Sequence, residues 1–424
     1  AMHIIILSEI QYKNYSAVHS KRNYKQTVEY ANMMKCYGYD KMFLGLVDDS
    51  NNVIGATVIL EKKLFCKYSY GYAPNGFLID FDDTILLENF TKYLKEFLKE
   101  LNFIYLSLDP NFAYKIYGKN NIVLKCYPNI IDNMESLGYI KKGFNSKFKK
   151  YNAILHVNDI KETYNNFNRN TKRKLQDNDI LNLDIYKENN IDKFYNMVIK
   201  KSIKNIDYYR NMLSYFNDDN TKFEIYFAKL NTDKYLDKCR NILYKEKDIN
   251  SNYQDLIRDI TIKKTDKLID DKIKSDKIIN KYKSKVIEAS NISSKFNGSV
   301  DVATIALIKQ GNTVYFIEEG YEDKLRNIYS LSILKWELIK RFYKEGYTNF
   351  NLGFIPLNIK DSKYKGIYLS KIGFSPRIYE YSGNYDLVIN KIIYSAELKF
   401  NKFNRDQEWF IKQADSYILS LGGK

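Results

Sequence analysis

At 424 residues the chain is long enough for two or three domains, each with a proper core. Lys and Arg outnumber Asp and Glu by 67 to 51, a formal charge of +16; this favours phosphate-bearing partners, and an AT-rich coding sequence, with its abundant Lys, Asn, Ile and Tyr, is the competing explanation. The composition, 45% hydrophobic and 15% aromatic, excludes wholesale disorder.

Residues 41–62, KMFLGLVDDSNNVIGATVILEK, place two apolar runs around a polar turn at 48–52 and predict a β-hairpin. The stretch 68–81 is an aromatic strand broken by Pro74 and Gly76. Over 86–101, Leu87, Phe90, Tyr93, Leu94, Phe97 and Leu98 recur at helical spacing. A strand at 103–110 and a helix–strand pair at 130–143 complete a mixed unit of roughly 150 residues, the size of one domain. A second unit repeats the order, with strands at 222–230 and 301–318, a helix at 326–345 and a strand at 349–354. Leu137-Gly138-Tyr139 precedes a strand at 151–155, and Ile372-Gly373-Phe374 precedes one at 385–389, which reads as an internal duplication.

Between two strands of the second unit, 234–291 contains no Gly or Pro and is dense in both charge signs. Positions 235, 239, 242, 246, 249, 253, 256 and 260 form a heptad seam broken only by Glu246. Ile269, Ile273, Ile279, Tyr282, Val286 and Ala289 form a return stripe. The pattern predicts an antiparallel arm of two helices, each on the order of 40 Å long; two ordinary surface helices are the alternative.

Four scattered cysteines (Cys36, Cys66, Cys126, Cys239) form no CxxC pair, and His3, His19 and His156 lie far apart. This argues against a zinc site or a disulfide framework and for a reducing compartment. No apolar run reaches membrane-span length, and 3–7 is too short for a signal segment, so a cytosolic chain is expected. Ala1 ahead of Met2 is set aside from the fold reasoning. The phosphate-cradling motifs GxxxxGK[ST] and GxGxxG and the nucleophile elbow GxSxG are missing. Two basic stretches remain: 169–174, with Arg169, Lys172, Arg173 and Lys174, and Lys200-Lys201 with Lys204 ahead of Tyr208-Tyr209. Either reads as a phosphate or RNA contact or as a solvated face.

These segments, taken in order, resemble the motifs of a known family. They are Gln26-Thr27 with Lys35 and Gly38, YAPNGFLID (72–80), Asp109-Pro110, NTKRKL (170–175), Lys204 with Tyr208-Tyr209, NLGF (351–354), LSKIGF (369–374) and EYSGNYDLVI (380–389). The family is that of the Fem ligases, and the resemblance covers nearly the whole chain. It implies an α+β fold of two tandem GNAT-like acyltransferase domains, with an antiparallel coiled-coil helical arm inserted in the second. The expected limits are 2–150 for the first domain, 151–233 and 292–424 for the second, and 234–291 for the arm.

The activity implied by the resemblance is non-ribosomal peptidyl transfer. An amino acid moves from aminoacyl-tRNA to the stem peptide of a lipid- or UDP-linked peptidoglycan precursor, building the interpeptide bridge of the cell wall without a cofactor. By the same resemblance Lys371 is the catalytic cation near the reacting carbonyl, and Lys35 and Lys204 hold precursor phosphates. Arg173, Tyr208 and Asp109 complete the substrate-binding set. A lipid-linked substrate implies peripheral association with the inner membrane face, and a homologous Fem-type partner is a further expectation. Departures from the family pattern are Asn75 for Arg, Lys204 for Arg, Ser370 for an aromatic residue and Phe354 for Gly; Lys in place of Arg keeps charge and loses bidentate phosphate recognition. Locally, Gly366 and Gly373 around Lys371 predict a bend that turns its ammonium into a cleft. Two other classes stay open: a CoA-dependent N-acyltransferase, although no Gln/Arg-x-x-Gly-x-Gly/Ala loop is present, and a non-catalytic RNA-binding or coiled-coil protein.

Overall fold

The computed structural model describes residues 1–144, 150–198, 202, 204–357, 360 and 362–399. Strands in the first part of the chain are β1 (His3–Ile6), β2 (Asp40–Val47), β3 (Val53–Phe65), β4 (Tyr68–Ala73), β5 (Phe103–Leu108), β6 (Ala113–Tyr117), β7 (Val123–Cys126) and β8 (Tyr139–Gly143). Those in the second are β9 (Tyr151–His156), β10 (Asp184–Lys187), β11 (Asn217–Asp218), β12 (Thr221–Asn231), β13 (Ser299–Gln310), β14 (Thr313–Tyr321), β15 (Asn349–Phe354), β16 (Arg377–Tyr381) and β17 (Asn384–Val388). The α+β class expected from the sequence is the class observed.

The hairpin at 41–62 is β2–β3, closed by the Asp48 carboxylate, which accepts from the backbone N–H of Ser50 and of Asn52 at 2.9 and 2.8 Å. The helix Thr84–Glu100 starts where the Asp83 carboxylate accepts from Leu86 N. It lays Leu87, Phe90, Leu94 and Leu98 on one face of the first sheet. Less legible are β1 and the helix Glu9–Val18, which begins with a reciprocal Ser8–Gln11 capping box. The β6–β7 hairpin, half-buried to exposed over most of its length, also lacks a strong pattern.

A division at 150/151 would give each sheet a contiguous stretch of chain, and the strand order corrects that expectation. The first sheet runs β1-β2-β3-β4-β5-β17-β8, and the second runs β10-β12-β13-β14-β15-β9-β16-β6-β7 with β11 on β12. Each half thus lends strand to the other: β17 pairs antiparallel with β5 and β8 in the first sheet, and the β6–β7 hairpin joins the second sheet through β6, which pairs antiparallel with β16. All five residues of β17 are buried, so its N–H and C=O groups need partners on both edges, which only the opening between β5 and β8 supplies. Two of the places where the chain changes sheet, after β8 and between β16 and β17, touch. Gly143 and Gly383 both have positive φ, and a Cβ on Gly383 would stand 2.8 Å from the Gly143 carbonyl oxygen.

The inserted segment forms two helices, Thr232–Arg258 and Asp266–Lys295. They run antiparallel, as Ser293 reaching Asp233 and Asn250 reaching Ser275 show. At roughly 1.5 Å per residue their lengths are about 40 and 45 Å. Near the base, Tyr235, Leu236, Cys239, Ala289 and Ile292 join the core of the second sheet. Toward the tip the heptad seam is not the one used: Leu243 is buried, while Ile249, Leu256 and Ile260 are exposed. Ile269 and Ile273 of the return stripe are exposed as well. The contact there is polar, with Asn250 Nδ2 donating to Ser275 Oγ at 3.0 Å and Asp276 Oδ1 at 2.8 Å. The base docks on the core and fixes each helix's rotation, and the tip inherits that rotation.

Candidate functional site

Two irregularities open the molecule where the halves meet. β14 and β15 pair in parallel only from Thr313–Asn349 to Tyr315–Asn351. Beyond that point β14 carries a bulge that leaves Ile317 without a partner on β13, and β15 carries one between Asn351 and Gly353. The strands part, and Phe316 to Glu319 face Asn351 to Phe354 across a cavity of about 240 Å³. Its opposite wall comes from the first half, through Asn23 to Lys25, Asn75 and Asp109 to Asn111. The crossings contribute Phe144, Tyr381, Gly383 and Asn384. The cavity therefore sits on the strand exchange itself.

Local sequence explains the walls. Gln26 is 1% exposed: its Nε2 donates to the Pro74 carbonyl at 2.8 Å and its Oε1 accepts from Val58 N at 2.9 Å, which pins the Pro74–Asn75 turn to the sheet. Thr27 caps the next helix. Gly373 permits close packing on the other side, because a Cβ there would stand 2.0 Å from Thr171 Oγ1. The Asn168 N–H also donates to the Gly373 carbonyl at 2.9 Å. The motifs at 26–27 and 170–175 thus act through architecture.

Lys371 occupies the last turn of the helix Ser362–Ile372 and is 4% exposed. Residues 365–367 are helical, so the expected glycine bend is absent; the helix end aims the side chain instead. Its Nζ donates to the Phe354 carbonyl and lies 3.5 Å from the place a Gly353 Cβ would occupy. Burial, and secondarily the Lys335 ammonium, pull its pKa down to about 8, against the opposing pull of Glu319 and Glu318.

Glu318 is 4% exposed and lines the same cavity. Tyr209 OH donates to its Oε2 at 3.0 Å, and Glu319 N donates to its Oε1 at 3.2 Å. Tyr209 also meets Ser202 Oγ at 2.7 Å. Burial raises the Glu318 pKa to about 7, although Tyr209, the Glu319 N–H and the Lys204 ammonium oppose the rise. Glu319 is ion-paired with Lys335 at 3.0 Å, and Lys335 is itself 2% exposed.

Of the residues singled out by sequence, Lys371, Lys204 and Asp109 line this one cavity. Asp109 accepts from Tyr72 OH. Tyr208 is buried and does not line the cavity, but Lys204 Nζ lies 3.8 Å from its ring centroid. Lys35 is exposed in the turn Lys35–Tyr37 and does not line the cavity; the Tyr37 ring lies tilted 6.4 Å from that of Tyr208 and its hydroxyl accepts from Asn211, which places Lys35 on the same seam further out. Arg173 is exposed and donates to Asn170 Oδ1, away from the cavity. Lys200 and Lys201 lie outside the described residues.

Sequence reasoning did not single out Glu318, Glu319 or Lys335. The available signal was two adjacent carboxylates ending the apolar run VYFIEE, since a carboxylate on a buried strand needs a partner or a task. Among the described residues no cluster of three or more His, Cys, Asp and Glu could hold a metal ion, and no helix is long and apolar enough to cross a membrane. His156 is engaged structurally, with Asn349 at 2.6 Å and Tyr379 at 2.7 Å.

A family model described as the FemAB family matches residues 7–402. Aminoacyltransferase FemA of Staphylococcus epidermidis is 20% identical over 388 residues, covering 87% of this chain and 91% of that protein. Aminoacyltransferase FemA of Staphylococcus aureus is 22% identical over 402 residues, covering 90% and 94%. The crystal structure of FemX superposes with a TM-score of 0.70 at 16% identity, covering 93% of this chain and 99% of that one, a likeness of fold.

Proposed function

The chain belongs to the FemAB family, and we propose that it is an aminoacyltransferase. In this reading it moves an amino acid from aminoacyl-tRNA to an amine on the stem peptide of a lipid- or UDP-linked peptidoglycan precursor. The observation that supports this reading most is a buried lysine, Lys371, in a cavity shared by both halves of the molecule, beside Lys204 and Asp109.

The ester of aminoacyl-tRNA is already activated, so transfer needs alignment of amine and carbonyl and stabilisation of a tetrahedral oxyanion. An ammonium held by the Phe354 carbonyl cannot wander and keeps its remaining protons for the oxyanion. With a pKa near 8 it is still mostly charged at neutral pH. Lys204, at the cavity wall on the Tyr208 ring, suits a precursor phosphate, and Lys35 lies further out along the same seam. The arm, whose outer part is dense in charged residues and lies outside the core of the second sheet, is assigned to tRNA. A lipid-linked precursor would bring the protein to the inner membrane face, and a Fem-type partner remains part of the reading.

The test is incubation with several charged tRNAs and with precursor, followed by mass spectrometry of the stem peptide. A mass gain of one amino acid that depends on charged tRNA supports the reading. A gain only with acyl-CoA would replace it by the CoA-dependent alternative, and no gain with either would leave a binding protein.

A further inference from the structure

The cavity holds a carboxyl group that oxyanion stabilisation leaves unused. Glu319 is neutralised by Lys335 at 3.0 Å, but among the described residues no cation stands within ion-pair distance of Glu318. The charged and titratable groups facing it are Tyr209, Lys204, Lys371 and Glu319. A carboxylate that is 4% exposed and without a counter-cation is costly to keep, and β14 has a bulge at Ile317, immediately before it.

We propose that Glu318 is the subsite for the attacking amine, binding it as an ammonium and accepting the proton that must leave before the nitrogen can attack. The proposal rests on the aminoacyl-transfer reading and deepens it. Tyr209 donates to one carboxyl oxygen and fixes the plane of the group, and Ser202 in turn holds the Tyr209 hydroxyl. The Glu318 pKa of about 7 lies where a group can take a proton from a bound ammonium and return it to water. Lys371, on the far side of the reacting carbon in this arrangement, keeps its charge for the oxyanion. The ligand chemistry is that of a primary aliphatic amine.

The step balances. Of the three ammonium protons, one passes to the Glu318 carboxylate, and the freed lone pair forms the C–N bond. The ester C–O bond breaks with its electron pair on the ribose oxygen. A second N–H proton ends on that oxygen, the third stays in the amide, and Glu318 releases its proton to solvent.

The experiment compares the full-length wild type with Glu318→Gln and Glu318→Asp, using charged tRNA and a UDP-linked precursor whose stem peptide has a free side-chain amine. Glu318→Gln is expected to lower kcat by about 10²–10⁴ and to remove a pH limb near 7 from the rate profile; Glu318→Asp is expected to retain that limb. In calorimetry, wild type should prefer the free amine over its N-acetylated counterpart by roughly tenfold or more, and Glu318→Gln should lose that preference. A circular-dichroism melt no lower than wild type excludes misfolding as the cause. Wild-type transfer combined with an unchanged rate and pH profile in Glu318→Gln would overturn this proposal alone. No transfer by the wild type from any charged tRNA would overturn the functional reading beneath it.

Discussion

The cavity and the arm are built from opposite materials. Around the cavity, charged and polar side chains are buried and each is answered by a partner on another element: Lys371 by Phe354, Glu319 by Lys335, Glu318 by Tyr209. Along the outer arm, apolar side chains such as Ile249, Leu256 and Ile260 are left in solvent while Asn250 and Ser275 sit in the contact. In the first region, burial forces specific pairing, because an unanswered charge is expensive in low dielectric. In the second, a two-helix arm has too little interior to force anything, and the rotation set at its base decides which residues meet. Substitutions at the cavity should therefore act through chemistry and charge, and those at the arm according to distance from the base.

The largest expected effect is at the cation. Lys371→Met keeps the stem and removes the charge, and kcat should fall by about 10²–10³ with near-normal precursor binding; single-turnover transfer measures it. A wild-type rate would reduce Lys371 to a buried structural lysine and erase the chemical side of the contrast.

Glu318 comes next, in stability. Its carboxyl pKa is raised from 4.5 to about 7, so the folded state binds more protons than the unfolded state between those values, and stability falls as pH rises through them. Above pH 7 the full cost is present, and below 4.5 it vanishes. Glu318→Gln removes the titration and should make the protein more stable than wild type at pH 8 by roughly 3 kcal/mol, with little difference at pH 4.5. Urea unfolding at the two pH values reads this directly, and equal differences at both would show that the carboxyl is not strained. A group that weakens the fold and is retained is what a working residue looks like.

Two leucines on the same arm helix sharpen the other half of the comparison. Leu236, 8% exposed and part of the core of the second sheet, should cost about 2–4 kcal/mol as Leu236→Ala. Leu256, 39% exposed, should cost less than about 0.5 kcal/mol as Leu256→Ala. Similar costs in thermal melts would mean that the tip packs as firmly as the base.

Smallest of all should be the removal of the tip. Replacing 247–278 by a short Gly/Ser turn spares the docked residues Tyr235, Leu236, Cys239, Ala289 and Ile292 and should leave a cooperative melt within about 0.5 kcal/mol of wild type. Tested for transfer, the same variant should weaken use of charged tRNA. A loss of cooperativity would place the tip in the fold's interior accounting after all.

Much of this protein was legible in its sequence because the signals were local. Alternating apolar residues around 48–52 made the β2–β3 hairpin, helical spacing from Leu87 to Leu98 made the helix on the first sheet, and the Gly- and Pro-free run at 234–291 made the arm. The family motifs pointed to Lys371, Lys204 and Asp109, which the fold brings to one cavity. Tertiary structure alone decided the rest. Whether β17 closes its own sheet or the other one depends on which edge is vacant, and no property of residues 384–388 encodes that. The carboxylate at 318 became a buried group only because two bulged strands part beside it, and Arg173 and Lys35 became surface groups only because Thr171 and Tyr37 take the inward positions next to them. A side chain's type and spacing are written in the chain, but its solvent exposure and its partner are properties of the packed molecule.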